Sequence, residues 1–159
     1  MDSKYTKLQI ALEIIGLLII VGMIIFIYIR WNQIPQQIPL HYNAMDKVDN
    51  WGSKDEILFL PVISILLYVF LTLMSFFPQM QKIPVIITDE NREAVYRNLK
   101  NLIIFMKVEI LILFFFLLAY TATAQPEIPG FYFPVFLIIV LGTIIFFYVR
   151  IIQSGNIKA

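Results

Sequence analysis

Four runs of the chain, residues 8–29, 57–77, 102–122 and 131–152, are built almost entirely of Ile, Leu, Val and Phe, and in each the apolar residues occupy every helical face. A bilayer core about 30 Å thick is crossed by roughly 20 apolar residues in a helix. Each run is long enough. An amphipathic surface helix would show one apolar stripe, whereas helices that are apolar all round must be buried or bathed in lipid. With 60% hydrophobic residues in only 159, a water-soluble globule of this size could not hide the excess, because small domains bury a limited fraction of their surface. The sequence therefore predicts an all-α polytopic membrane protein, a single membrane domain over residues 1–159 with four transmembrane helices and the lipid bilayer as its solvent. The first run follows Lys4 and Lys7 as a secretion signal would. At about 22 residues it exceeds the usual h-region and no small-x-small site follows, so a retained helix is expected.

The ends of the runs carry helix signals. Ser53-Lys54-Asp55-Glu56 is a capping box directly before the second run, Pro78 follows that run, and Pro61 should kink it or delay its regular start. Thr88 is a candidate cap for the third helix, with Asp89 and Glu90 on its positive dipole end. No Gly or Pro occurs from 89 to 122, which predicts one helix about 50 Å long that continues outside the bilayer as a stalk. Residues 78–101 are thus expected to form a linker and stalk. Its stripe Val95, Leu99, Leu102 and Met106 either meets a partner or packs on the inner ends of the bundle.

Lys and Arg near spans stay on the cytoplasmic side. One side collects Lys4, Lys7, Lys82, Arg92, Arg97, Lys100, Arg150 and Lys158, and the other has only Arg30, Lys47 and Lys54. Both termini are therefore expected in the cytoplasm of a multi-pass protein, with residues 30–56 outside. Tyr28, Trp31, Tyr120, Phe131 and Tyr132 then form an outer aromatic belt and Tyr148 part of an inner one. A net charge of +1 gives no clustered basic face for nucleic acid, and with no cysteine there is neither a disulfide nor a thiolate ligand or nucleophile.

The loop at 30–56 is far longer than the usual connection of about 4 to 6 residues. Two prolines, Pro35 and Pro39, favour an extended first half, and Asn43, Asp46, Asp49 and Gly52 supply turn formers to a second half able to fold over the bundle mouth. The text Ile38-Pro39-Leu40-His41-Tyr42-Asn43, then Asp49-Asn50-Trp51-Gly52-Ser53-Lys54 running into Phe59-Leu60-Pro61, resembles bacterial membrane proteins that carry domain of unknown function 1648. That module is shared with the Sdp-toxin immunity protein. The resemblance extends over the first helix, the loop and the second helix; where such proteins usually have Gly and Pro, this chain has Asp46 and Val48. It implies a bacterial cytoplasmic membrane location and a role in immunity or signalling, with a peptide toxin or a membrane protein as partner.

His41, Tyr42, Asn43, Asp49, Trp51, Gly52, Ser53 and Lys54 are accordingly the candidate recognition residues. Tyr42 and Trp51 can stack on a ligand or anchor at the interface, and both readings stand open. His41 is the single histidine, with no metal-ligand spacing around it, so no metal, cofactor or catalytic residue is expected. Within the spans lie Glu13, Lys107 and Glu109. Glu13 and Lys107 each sit five residues past the start of a parallel run, at equal depth, and are expected to pair. Glu109, on another face than Lys107, is read as facing the bundle interior or as part of an ion relay. The expected function is a non-enzymatic membrane module that recognises a peptide, lipid or protein through the loop. The alternative is a small transporter or accessory transport subunit using the intramembrane charges; a second copy of the chain is a further candidate partner.

Overall fold

The computed structural model describes residues 5–155. Helix α1 covers Lys7–Arg30, strands β1 and β2 cover Gln37–Tyr42 and Val48–Ser53, and helices α2, α3 and α4 cover Phe59–Phe76, Arg92–Thr121 and Tyr132–Gly155. All four helices are long and apolar enough to cross a membrane. The molecule is mostly helical, and the loop between α1 and α2 adds a small antiparallel hairpin that no helical reading of that segment anticipates.

Local chemistry explains the boundaries. Before α1, the Thr6 hydroxyl accepts from Gln9 N at 3.2 Å and the Gln9 carboxamide accepts from Thr6 N at 2.9 Å, closing a capping box that satisfies two end amides. The expected box at Ser53 and Glu56 also forms, with Ser53 N donating to Glu56 Oε1 at 2.8 Å, but it opens a tight 3-10 turn, Lys54–Leu58, rather than α-helix. Pro61 is why α2 begins late. It falls in the first α-helical turn, where its missing N–H has no intrahelical carbonyl to meet.

The third helix differs from expectation at its start: it begins at Arg92, not at 89. Thr88 and Asn91 bond reciprocally, Thr88 N to Asn91 Oδ1 at 2.9 Å and Asn91 N to Thr88 Oγ1 at 3.4 Å, and this holds residues 89–91 in a turn. These are the two bonds of a capping box, and Arg92 N donates to Thr88 O at 3.0 Å, so Thr88 caps the turn that leads into α3.

The helices run alternately up and down, and α3 packs against each of the other three. Apolar side chains such as Leu18 and Ile25 on α1, Leu66 and Leu73 on α2, and Ile138 and Ile145 on α4 are exposed along the outward faces, a surface suited to hydrocarbon. Two buried clusters lie at opposite ends. At the hairpin end Met23, Ile27, Ile34, Ile38, Ile57 and Leu118 join α1, α3 and the hairpin. At the other end Val95 and Leu99 of α3 meet Ile151 of α4, flanked by Ile83 and Val85, so this part of the stripe is packed inside the molecule.

Candidate functional site

In the hairpin Gln37 pairs with Ser53, Ile38 with Gly52, Pro39 with Trp51, His41 with Asn50 and Tyr42 with Val48, with register shifts beside His41. Burial divides its residues into two groups. Ile38 and Pro39 are fully buried against the bundle, which roots the strand through apolar contact. His41, Asp49 and Trp51 are exposed, and His41 Nδ1 lies 2.6 Å from Asp49 Oδ1 across the strands. The outward surface is therefore a coupled imidazole and carboxylate with an indole two residues along β2.

Other motif residues shape the hairpin. Asn43 is a turn device: its Oδ1 accepts from Met45 N at 2.8 Å and Lys47 N at 3.2 Å, the local bonding for which Asn is favoured in turns. Asp46 follows at φ 60°, the left-handed region that glycine enters freely and Asp tolerates. At Gly52 any Cβ would collide with the Leu40 side chain and with Glu56 Oε1, 2.5 Å away. Ser53 belongs to the capping box, and Lys54 is buried with its Nζ 4.3 Å above the centre of the Trp31 ring, a cation–π contact.

The hairpin tip is tied to the α3–α4 connection. Val48 N donates to Pro126 O at 3.0 Å and Ile128 N to Asp46 O at 2.9 Å, with Lys47 and Glu127 3.8 Å apart outside. The Tyr42 hydroxyl donates to Gln125 O at 3.3 Å, and its ring lies 6.4 Å from that of Tyr120. Partial burial, reinforced by Tyr120, raises the Tyr42 phenol above its ordinary range, so the hydroxyl remains a donor at neutral pH. The tie between the two loops left no signal in either segment alone.

Lys107 Nζ donates to both oxygens of Glu13, at 2.7 and 2.6 Å, and to Thr72 Oγ1 at 2.7 Å. The Tyr68 hydroxyl donates to Glu13 Oε2 at 2.8 Å, and the ammonium lies 4.4 Å from the centre of the Tyr68 ring. Lys107 is fully buried. Pairing of Glu13 and Lys107 thus joins α1 to α3, as equal depth implies, and α2 completes the cage through Tyr68 and Thr72. Gly16 makes room for that ring, since a Cβ there would lie 3.0 Å from Tyr68 Cε2. Toward the start of α1 the polar seam continues, with Gln9 Nε2 donating to Asn101 Oδ1 at 2.7 Å and the Tyr5 and Ser75 hydroxyls 2.8 Å apart. Gln9 and Glu13, four residues apart on α1, form a polar line on a mostly apolar helix that is legible in the sequence, and Tyr5 extends it just ahead of the helix.

Glu109 faces α4. Its Oε1 accepts from the Thr143 hydroxyl at 2.5 Å, while Oε2 is buried with no hydrogen-bond partner among the described residues. It lies apart from the Glu13–Lys107 cage.

Residues 18–65 match the family model of a domain of unknown function, DUF1648. The match is narrower than the resemblance drawn from the motif: it takes in the second half of α1, the whole hairpin and the first turns of α2, under a third of the chain, and leaves Glu13 outside. No curated protein and no solved structure matches the chain.

Proposed function

We propose that this protein is a non-enzymatic integral membrane module that recognises a peptide, lipid or protein partner through the outward face of its hairpin. Its role is immunity or signalling of the kind implied by the resemblance to the Sdp-toxin immunity protein. The hairpin faces the exterior of a bacterial cytoplasmic membrane and both termini the cytoplasm. One observation carries the reading: Ile38 and Pro39 are sunk into the bundle while His41, Asp49 and Trp51 stand exposed on the same rigid unit. A fixed polar and aromatic surface needs no further ordering when it meets a partner. Joint substitution of His41, Asp49 and Trp51 by Ala should abolish toxin protection or crosslinked partner capture while membrane insertion is retained. Wild-type protection and capture by that triple variant would end the proposal.

A second reading, a small transporter or an accessory subunit of one, draws on Oε2 of Glu109, buried within a span and without a hydrogen-bond partner among the described residues. Buried ionisable groups at membrane depth are costly and tend to be functional. On this reading Glu109→Gln abolishes ion or proton flux in proteoliposomes, whereas on the recognition reading the same change leaves partner capture intact.

A further inference from the structure

The two clefts between α3 and α4 follow one seam. Near the start of α3, a polar cleft of about 360 Å³ is lined by Arg97, Asn98 and Asn101 from α3 and Arg150, Gln153 and Ser154 from α4. Deeper along the same pair of helices, a second cleft of about 360 Å³ is lined by apolar residues including Phe105, Ile138, Gly142 and Phe146. The lining residues step by three or four along both helices, 97, 101 and 105 on α3 and 138, 142, 146 and 150 on α4, so both clefts open on one continuous face. A Cβ at Gly142 would meet nothing within 4 Å, and the groove there is open.

The polar cleft is rich in donors and has a fixed floor. Asn98 Nδ2 donates to Ser154 Oγ at 2.9 Å, the Ser154 hydroxyl donates to Arg150 O at 2.8 Å, and Asn101 Oδ1 is engaged by Gln9. Two guanidinium groups remain at the mouth. Arg97 has only a loose contact with the exposed Glu93, at 3.9 Å, and among the described residues Arg150 makes no ion pair. Planar N–H forks of this kind bind phosphate oxygens in pairs. Arg97 lies ten residues before Lys107, about 15 Å along the helix axis, which places the cleft at the end of the apolar surface. Basic pockets between transmembrane helices at that depth suit lipid head groups.

We propose that this seam binds an anionic phospholipid, with its phosphate between Arg97 and Arg150 and an acyl chain along the Gly142 groove. The shared chemistry is a phosphate group, and the groove selects the lipid over the free ion. The full-length protein in dodecyl maltoside, mixed with phosphatidylglycerol, phosphatidylcholine of the same chains, or inorganic phosphate, is read by native mass spectrometry. Phosphatidylglycerol should be retained at least tenfold better than phosphatidylcholine. The pair Arg97→Gln with Arg150→Gln should remove that preference, Arg92→Gln at the same end should keep it, and Gly142→Phe should weaken lipid retention. Arg97→Lys with Arg150→Lys, which keeps charge without the fork, should give an intermediate loss and covers the case in which the glutamine pair does not fold. Equal retention of the two lipids overturns the proposal, as does loss in Arg92→Gln equal to that in the double variant. Phosphate binding as tight as lipid binding, with no effect of Gly142→Phe, would mark a free-phosphate site and overturn the lipid assignment.

Discussion

Lys107 is a cation with almost no access to solvent, and its position is tenable only because Glu13, Thr72 and the Tyr68 ring surround it. Removing one partner of a buried pair leaves the other uncompensated, which typically costs about 3–5 kcal/mol. Lys107→Met should therefore lower the thermal midpoint in detergent sharply, and exchange of the charges, Glu13→Lys with Lys107→Glu, should recover most of the loss. Full recovery is not expected, since Tyr68 donates to the carboxylate and Thr72 accepts from the ammonium in the present arrangement only. Failure of the exchanged variant to exceed the single one would show that the pairing contributes nothing. Equal depth made this pair legible from the sequence, because α1 and α3 run in the same direction and each residue lies a similar distance past its start. Tyr68 and Thr72 were not legible, since which face of α2 meets the pair depends on packing. Asn43, a turn former by residue type and a recognition candidate by motif, makes local bonds that shape the tip. At Asp46 the left-handed backbone predicts that Asp46→Gly is tolerated, while Asp46→Ala costs about 1 kcal/mol in chemical or thermal unfolding.

Among the elements, the helices were the easiest to foresee, because length and all-round apolarity suffice to define a span. The start of α3 was not. Its register turns on Thr88 and Asn91 bonding to one another, a local competition that propensity alone does not resolve. The strands were hidden for a different reason. Gln37–Tyr42 holds a proline and no clean alternation, and it is fixed by the burial of Ile38 and Pro39 against α1 and α3 rather than by its own preferences. Ile38→Ala should therefore loosen the hairpin specifically, with a loss of about 2–5 kcal/mol, seen as faster cleavage between 37 and 53 under limited proteolysis while the spans stay protected. Cleavage no faster than in the wild type would refute the anchoring role. Pro61→Ala should lower stability by about 0.4–1 kcal/mol, because the proline restricts the unfolded chain while in the first turn it displaces no helical bond.

At the scale of the whole molecule, the bundle is asymmetric: α3 touches every other helix, meeting α1 and α2 at the caged ion pair and α1 and the hairpin at the buried cluster of the hairpin end. The charge bias along the chain predicts that the hairpin lies outside. Met45 at the exposed tip offers the check, since the chain has no cysteine. In Met45→Cys a membrane-impermeant maleimide should label intact cells, and labelling confined to inverted vesicles would reverse the orientation.

The main-chain bonds from Asp46 and Val48 to the connection ahead of α4 give the small sheet a second attachment, remote in sequence from the strands themselves. A force on the tip is consequently shared. Whatever grips the strands also tugs at the corner where the last two helices turn, so a bound molecule has a mechanical route into the half of the bundle that lies beyond the matched module.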